Sequence, residues 1–133
     1  MCIRDRLDSG MTEILRPSLY GSQHPVHLYP AQATAATRAY VIVGHCCESG
    51  DLISCAPGEP ETLATRDLPE ARPGDLCVIG GAGAYCAGMS TKNYNSFPEA
   101  PEVLLRRDGS VALIRRRQSL EQILQNELPG EGL

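Results

Sequence analysis

Short apolar stretches bounded by turn residues constrain the fold of this chain more than any other feature. Helical periodicity is scarce, whereas residues 39–43 and 76–79 are rich in β-forming side chains and each stretch stops at a glycine. Residues 26–28 and 51–54 are two further strand candidates. Several short strands at this spacing are typical of a β-barrel or a β-sandwich.

Two local signals lie nearer the C-terminal end. Residues 102–105 and 110–114 flank an Asp108-Gly109 pair, which is a strong hairpin signal. Ser119 precedes Gln122 by three residues, so the two can form a capping box at the start of a helix. The sequence therefore predicts a hairpin followed by a helix over residues 119–127.

The segment between residues 57 and 73 is polar and rich in proline, which predicts an exposed connection. The length of 133 residues fits one domain with a modest core. The fold class predicted from these patterns is mainly β, as a barrel or sandwich with a short C-terminal helix.

Charge and hydropathy exclude several classes of partner. The net charge of −4 gives no general electrostatic reason to bind nucleic acid or an anionic membrane. The run from Arg115 to Arg117 is short and typical of a solvated strand end. No apolar stretch approaches the roughly 20 residues that span a bilayer. Charged Arg4, Asp5 and Arg6 stand where a secretory leader would be apolar, so a cytoplasmic location is expected.

Six cysteines raise the question of a metal site or disulfides. No pair has the C-x-x-C spacing of a zinc knuckle, so no metal site is predicted. Adjacent Cys46 and Cys47 would point in opposite directions on a strand and could not share one metal ion. Without a secretion signal, disulfides are disfavoured, and most of the cysteines are interpreted as small buried hydrophobic residues.

The stretch Cys47-Glu48-Ser49-Gly50-Asp51 carries the most chemical information. A thiol there could transfer a proton beside a carboxylate that holds a substrate ammonium group. Taken alone, the stretch fits a buried cysteine followed by a polar turn at least as well.

Two other stretches add to this one. Arg16 and Tyr20 flank a proline, and the arginine offers a bidentate fork suited to a carboxylate. Tyr85 follows the glycine-rich residues 80–84, where it could donate a hydrogen bond to a phosphate or a substrate oxygen. The glycine-rich run is neither a P-loop nor a dinucleotide fingerprint, because it lacks the lysine of the first and the third glycine of the second.

Taken together and in this order, the three motifs resemble the C-terminal part of the fold-type III decarboxylases that use pyridoxal 5'-phosphate. Within that group, the pairing of Cys47-Glu48 with Arg16-Pro17 resembles the diaminopimelate decarboxylases. The likeness extends from about residue 8 to about residue 105, and more loosely to the C-terminal helix. It implies decarboxylation of meso-diaminopimelate to L-lysine, a step of lysine biosynthesis.

The resemblance also implies an architecture and residue roles. Family enzymes join a (β/α)8 barrel, which carries the cofactor lysine, to a C-terminal β domain, and they form homodimers with shared active sites. Cys47 would be the general acid, and Glu48 would bind the distal ammonium group of the substrate. Arg16 and Tyr20 would bind its distal carboxylate, and Tyr85 would contact cofactor or substrate.

Several features depart from the complete family pattern. The only lysine, Lys92, is not in the context of the family's cofactor lysine, and no barrel precedes Arg16. Residues 7–133 are therefore expected to be the C-terminal β domain alone, inactive by itself, and residues 1–6 to be foreign or unstructured. Phe97 stands where relatives often have arginine and receives no role. Two alternatives stay open: a decarboxylase of another basic amino acid, and a small β module that binds without catalysis.

Overall fold

The structure, a computed structural model, describes residues 6–128 and residue 130. The chain divides into two compact units, Met1–Thr91 and Lys92–Leu133. Most of the segment expected to be foreign or unstructured lies outside the described residues. Arg6 is described, and it forms a parallel β-bridge with Val43.

From residue 6 onward, the first unit contains one short helix and six short strands. In chain order they are α1 (Arg16–Tyr20), β1 (Val26–Tyr29), β2 (Thr37–Tyr40), β3 (Cys55–Ala56), β4 (Glu59–Leu63), β5 (Arg66–Pro69) and β6 (Leu76–Ile79). The second unit contains a 3-10 turn (Tyr94–Ser96), β7 (Glu102–Leu105), β8 (Val111–Arg115) and α2 (Leu120–Leu124). This content confirms the mainly β class.

The described strands form four antiparallel ladders, each of two strands. Strand β1 pairs with β6, and β2 pairs with β5. Because β2 and β5 both lie between β1 and β6 in the sequence, the second ladder is nested within the first. Strands β1 and β5 lie near each other, but no ladder joins them among the described residues. The ladders therefore do not close into a barrel. The strands are two to five residues long, and Pro69 has no N–H to extend a ladder.

The strand predictions meet three different outcomes. Strands β1 and β6 confirm the predictions for residues 26–28 and 76–79. The strand predicted over residues 39–43 lies earlier in the chain, because β2 ends at Tyr40. The strand predicted over residues 51–54 is reduced to a single bridge at Leu52, before β3 begins. None of residues 57–73 is buried, as expected for an exposed segment, but the segment is not an irregular connection, since β4 and β5 lie within it. Neither strand contains a buried residue, and polar residues and proline make up much of both, so hydrophobic alternation does not mark them.

A small core holds the first unit together. Its buried members are Ile14, Ile42, Ile53 and Cys86. Partly buried side chains from the strands and the flanking segments pack against them: Leu7, Val26, Tyr40, Leu68 and Ile79. The four buried members come from different stretches of the sequence, so this core joins segments that lie far apart along the chain.

In the second unit, β7 and β8 form the hairpin predicted around Asp108-Gly109. Gly109 has a φ of 82°, and the Ser110 N–H donates to the Asp108 carboxylate at 2.9 Å. The capping box is also confirmed, because Ser119 accepts from the Gln122 N–H while the Gln122 side chain accepts from the Ser119 N–H. Helix α2 is shorter than the predicted residues 119–127, since it ends at Leu124. Short helices fray without tertiary packing along their length.

Candidate functional site

Residues 44–51 form a closed turn. The Gly44 N–H donates to the Asp51 carbonyl at 2.9 Å, and the Asp51 N–H donates to the Glu48 carbonyl at 3.2 Å. Cys46 is only 5 % exposed, whereas Cys47 is exposed. The two side chains therefore differ in exposure, as expected if they lay on a strand. Both residues, however, lie in a bend and not in a strand.

The two thiols therefore differ chemically. Burial raises the pKa of Cys46 to about 11, and the nearby carboxylate of Asp51 adds to this rise through charge and a hydrogen bond. Cys46 consequently stays protonated at neutral pH and has little access to a ligand. Cys47 has the access that proton transfer to a ligand needs.

Glu48 is exposed, and its own turn holds its carboxylate. Its Oε1 accepts from the Ser49 hydroxyl at 3.1 Å and from the Gly50 N–H at 3.0 Å. A carboxylate is an acceptor with a negative charge, which is the chemistry that an ammonium group requires of its partner. The side chain is thus held in a defined direction on the surface, and its charge suits an ammonium group.

The turn forms part of the wall of a groove of about 1240 Å³ in the first unit. Cys47, Glu48 and Ser49 line the groove from the turn, while β2 and the segment after β5 supply other walls. Their lining residues include Arg38, Tyr40, Glu70 and Arg72. The groove thus presents a thiol and a carboxylate side by side on a surface of mixed charge.

Arg16 and Tyr85 form a second cluster. Pro17 favours the first turn of α1, and Gly21 ends the helix with a φ of 64°. The Arg16 guanidinium lies 5.8 Å from the centre of the Tyr85 ring, within cation–π range. Tyr85 itself has a φ of 59°, a left-handed conformation that is uncommon for a bulky residue.

The Nε–H of the Arg16 guanidinium is a donor without an acceptor in the described part of the chain. Its Nε is buried and has no hydrogen-bond partner among the described residues. A buried N–H without an acceptor is costly, and an anionic ligand would remove this cost. The residues present therefore fit a bound carboxylate or phosphate group beside Tyr85.

The small core relates the three motifs to one another. Ile14 lies two residues before Arg16, and Cys86 directly follows Tyr85. Ile42 and Ile53 flank the turn that carries Cys47. Arg16, Tyr85 and the turn that carries Cys47 therefore belong to segments that a single cluster of buried side chains holds together.

The structure nevertheless does not gather all five expected site residues in one cavity. It brings Arg16 to Tyr85, and it places Cys47 and Glu48 together on the groove. Arg16 and Tyr85 are not among the described residues that line the groove. Tyr20, at the end of α1, is 53 % exposed and does not line the groove either.

Sequence reasoning gave no role to two polar groups that support the turn. Asp51 is 3 % exposed and accepts from backbone N–H groups at both carboxylate oxygens. The Thr12 hydroxyl oxygen lies 2.8 Å from Nε2 of His45, and the same hydroxyl donates to the Glu13 carboxylate at 2.5 Å. The Gly50-Asp51 pair was visible in the motif, but Asp51 meets Met11, forty residues away, and no local pattern predicts that contact.

Within residues 6–128, no three His, Cys, Asp or Glu side chains cluster closely enough to hold a metal ion. None of the helices in that part of the chain is both long enough and apolar enough to cross a membrane. The cytoplasmic location stays a prediction.

Comparison with known proteins decides the family. A family model described as the C-terminal sheet domain of pyridoxal-dependent decarboxylases matches residues 6–83, which is more than half of the chain. The chain belongs to this decarboxylase family. The matched range contains Arg16, Tyr20, Cys47 and Glu48, while Tyr85 lies just beyond it.

Relatives within the family carry a more specific name. The diaminopimelate decarboxylase of Escherichia coli K12 is 42% identical over 126 residues, and the match covers 92% of this chain. The same match covers 29% of the relative, so the chain spans under a third of that protein's length.

Solved structures give the same relationship. A crystal structure of a diaminopimelate decarboxylase matches 94% of this chain and 31% of its own, with a TM-score of 0.81 and 38% identity. The M. jannaschii diaminopimelate decarboxylase, solved in a co-complex with L-lysine, has a TM-score of 0.75 and 28% identity, with 92% and 25% of the two chains covered.

Proposed function

We propose that this chain is the C-terminal sheet domain of a diaminopimelate decarboxylase, which converts meso-diaminopimelate to L-lysine and carbon dioxide. The observation that carries the proposal is the turn that presents the Cys47 thiol beside the Glu48 carboxylate on the groove. The 42% identity with the Escherichia coli enzyme supports the choice of substrate, as does the M. jannaschii relative solved with L-lysine.

The substrate sets a demand that these residue types meet. Diaminopimelate carries an amino-acid group at each end, so its unreacting end presents both an ammonium and a carboxylate. Glu48 binds the ammonium, because its exposed carboxylate carries the opposite charge and is oriented by Ser49 and Gly50. Arg16 binds the carboxylate through its guanidinium, and Tyr20 on the same helix contributes its hydroxyl.

Pyridoxal 5'-phosphate, when bound, accepts the electron pair that remains after carbon dioxide leaves. The carbon that loses carbon dioxide must then receive a proton, and Cys47 supplies it from its exposed thiol. Cys46 is a poor substitute, because it is only 5 % exposed and burial raises the pKa of its thiol to about 11. Tyr85 contacts the cofactor or the substrate beside Arg16.

The cofactor's covalent lysine is assigned to the part of the relatives that this chain does not match. Lys92 is the only lysine of the sequence, and its ammonium pairs with the Glu99 carboxylate at 2.9 Å in the second unit. The active enzyme thus needs a barrel domain that carries the lysine and the main cofactor site. This assignment follows from the family resemblance and the 29% coverage.

The enzyme is proposed to be a homodimer with shared active sites. Arg16 and Tyr85 do not line the groove that Cys47 and Glu48 line. In a dimer, the Cys47–Glu48 turn of one subunit can complete the site of its partner, so the two clusters need not meet within one chain.

The first experiment compares Cys47→Ala with Cys46→Ala in the full-length protein, with lysine formation from meso-diaminopimelate as the measurement. Loss of Cys47 should lower turnover about 10²–10⁴-fold, the usual range for a general acid, while cofactor absorbance is retained. Cys46→Ala is the matched control and should affect stability more than turnover. Equal turnover in wild type and Cys47→Ala would remove Cys47 from the mechanism.

A second experiment tests the substrate and the shared site. L-Ornithine and L-arginine lack the distal carboxylate, so the wild-type protein should decarboxylate them far more slowly than meso-diaminopimelate. Faster turnover of either would favour another basic-amino-acid decarboxylase. Mixing Cys47→Ala subunits with subunits that lack the cofactor lysine should restore part of the activity, and no recovery in verified mixed dimers would contradict a shared site.

A further inference from the structure

The buried carboxylate of Asp51 links the Cys47–Glu48 turn to a distant segment of the chain. Its Oδ1 accepts from the Met11 N–H at 2.8 Å, and its Oδ2 accepts from the Cys46 N–H at 2.7 Å. Its main chain closes the same turn through Gly44 and Glu48. One residue thus holds both ends of the turn and fixes the turn against the segment that leads into α1.

Two glycines leave the space that this carboxylate occupies. A Cβ atom on Gly10 would lie 2.4 Å from Oδ1 of Asp51, and one on Gly44 would lie 2.1 Å from the same atom. Real Cβ atoms do not approach oxygen this closely, so a side chain at either position would displace the carboxylate. Gly10 and Gly44 come from different segments, and both close around one acidic group.

We propose that Asp51 is a positioning residue for decarboxylation, holding the turn so that Cys47 and Glu48 face the groove while Cys46 stays buried. This role rests on the proposed function, in which Cys47 and Glu48 act on the substrate. Asp51 is itself 3 % exposed and acts through its neighbours in sequence.

The geometry requires an aspartate. A carboxylate accepts at both oxygens, and here each oxygen faces one N–H donor. Asparagine would accept from one of them and turn its own NH₂ group toward the other. Glutamate is longer by one methylene, and the cradle formed by Gly10 and Gly44 has no room for it.

The test compares Asp51→Asn with Asp75→Asn in the full-length protein. Asp75 is a matched control, because its two oxygens also accept one backbone N–H each, from Ala31 and Arg72, at 2.9 and 2.7 Å. The readouts are amide hydrogen exchange, the rate of iodoacetamide alkylation at each cysteine, and kcat and KM for meso-diaminopimelate.

In Asp51→Asn, exchange at the Met11 and Cys46 amides should accelerate roughly 10- to 100-fold, the loss expected for a charge-assisted hydrogen bond. Alkylation of Cys46 should become faster, and the amides of the β1–β6 ladder should keep their protection. KM should rise and kcat should fall, with kcat/KM lower by about 10²-fold, because small misplacements of reacting groups cost this much. Asp75→Asn should match wild type in all of these.

Unchanged exchange at Met11 and Cys46 in Asp51→Asn would overturn the inference, as would an equal loss of kcat/KM in Asp75→Asn. If wild type does not decarboxylate diaminopimelate, the proposed function fails, and the exchange and alkylation results still decide whether Asp51 holds the turn. If Asp51→Asn does not fold, Gly10→Ala displaces the same carboxylate and should give the same pattern, and wild-type exchange and kinetics in that variant would refute the role.

Discussion

The two compact units of the chain differ in what holds their residues in place. In the first unit, Ile14, Ile42, Ile53 and Cys86 form a buried cluster to which distant segments contribute. In the described part of the second unit, no residue is buried. Its hairpin and helix are formed by neighbours in sequence, through the Asp108-Gly109 turn and the Ser119 cap.

This contrast separates two ways of specifying structure. Turn and cap residues define the second unit, while its apolar side chains stay accessible: Val103, Leu105, Val111, Leu113 and Leu120 are each more than half exposed. The first unit depends on tertiary packing, and it also carries every residue of the candidate site. Long-range packing is therefore what positions the chemistry, and local signals alone would not place it.

The largest expected effect is the loss of stability when an isoleucine is truncated in the first unit, compared with the same change in the second unit. Ile53 is 3% exposed and Ile114 is 57% exposed, so the two are a matched pair. Ile53→Ala should lower the free energy of unfolding of the first unit by about 2–5 kcal/mol, the range for deleting buried aliphatic volume. Ile114→Ala should cost about 0.5 kcal/mol or less. Native-state hydrogen exchange reports each unit separately, and equal costs would contradict the comparison.

A smaller effect depends on pH and involves the first unit alone. Burial raises the pKa of Cys46 to about 11 from its ordinary value of 9.0. The folded chain therefore keeps a proton that the unfolded chain releases above pH 9, so this contribution is complete below pH 9 and is lost as the pH rises toward 11. Across this pH window, the free energy of unfolding of wild type should fall by at most about 2–3 kcal/mol more than that of Cys46→Ala.

The measurement is the free energy of unfolding of the two proteins between about pH 8 and pH 11.5. This range brackets the ordinary pKa of 9.0 and the raised pKa of about 11. The second unit has no cysteine, so the exchange of its amides should have the same pH dependence in both proteins. Parallel stability curves for wild type and Cys46→Ala would contradict the raised pKa.

The smallest effect concerns the second unit. Ser119 accepts from the Gln122 N–H at 3.3 Å at the start of α2. Ser119→Ala removes this cap and should destabilise the helix by about 1 kcal/mol. Faster exchange should be confined to α2, with Cys47 alkylation and the first unit's amides unchanged. A loss of protection in the first unit would show that the two units are not independently specified.

Much of the fold was predictable, for reasons that particular elements make clear. Strands β1 and β6 were predicted because apolar β-forming residues lie between turns, and the β7–β8 hairpin because its turn needs a glycine with positive φ. Strand β5 was missed because its sequence is polar and its partner β2 is far away. The end of α2 was placed too late, because capping fixes where a helix starts and not how far it extends.

By itself, the sequence determined the mainly β class, the local turns and the motifs that lead to a decarboxylase family. Those signals are carried by adjacent residues, whose spacing can be read directly. The tertiary structure alone decided that Cys47 is exposed and Cys46 buried in a bend, that Arg16 meets Tyr85, and that Asp51 holds the turn to Met11. Each of these depends on the burial or the approach of groups that only folding brings together, and a local pattern does not encode the distance between such groups.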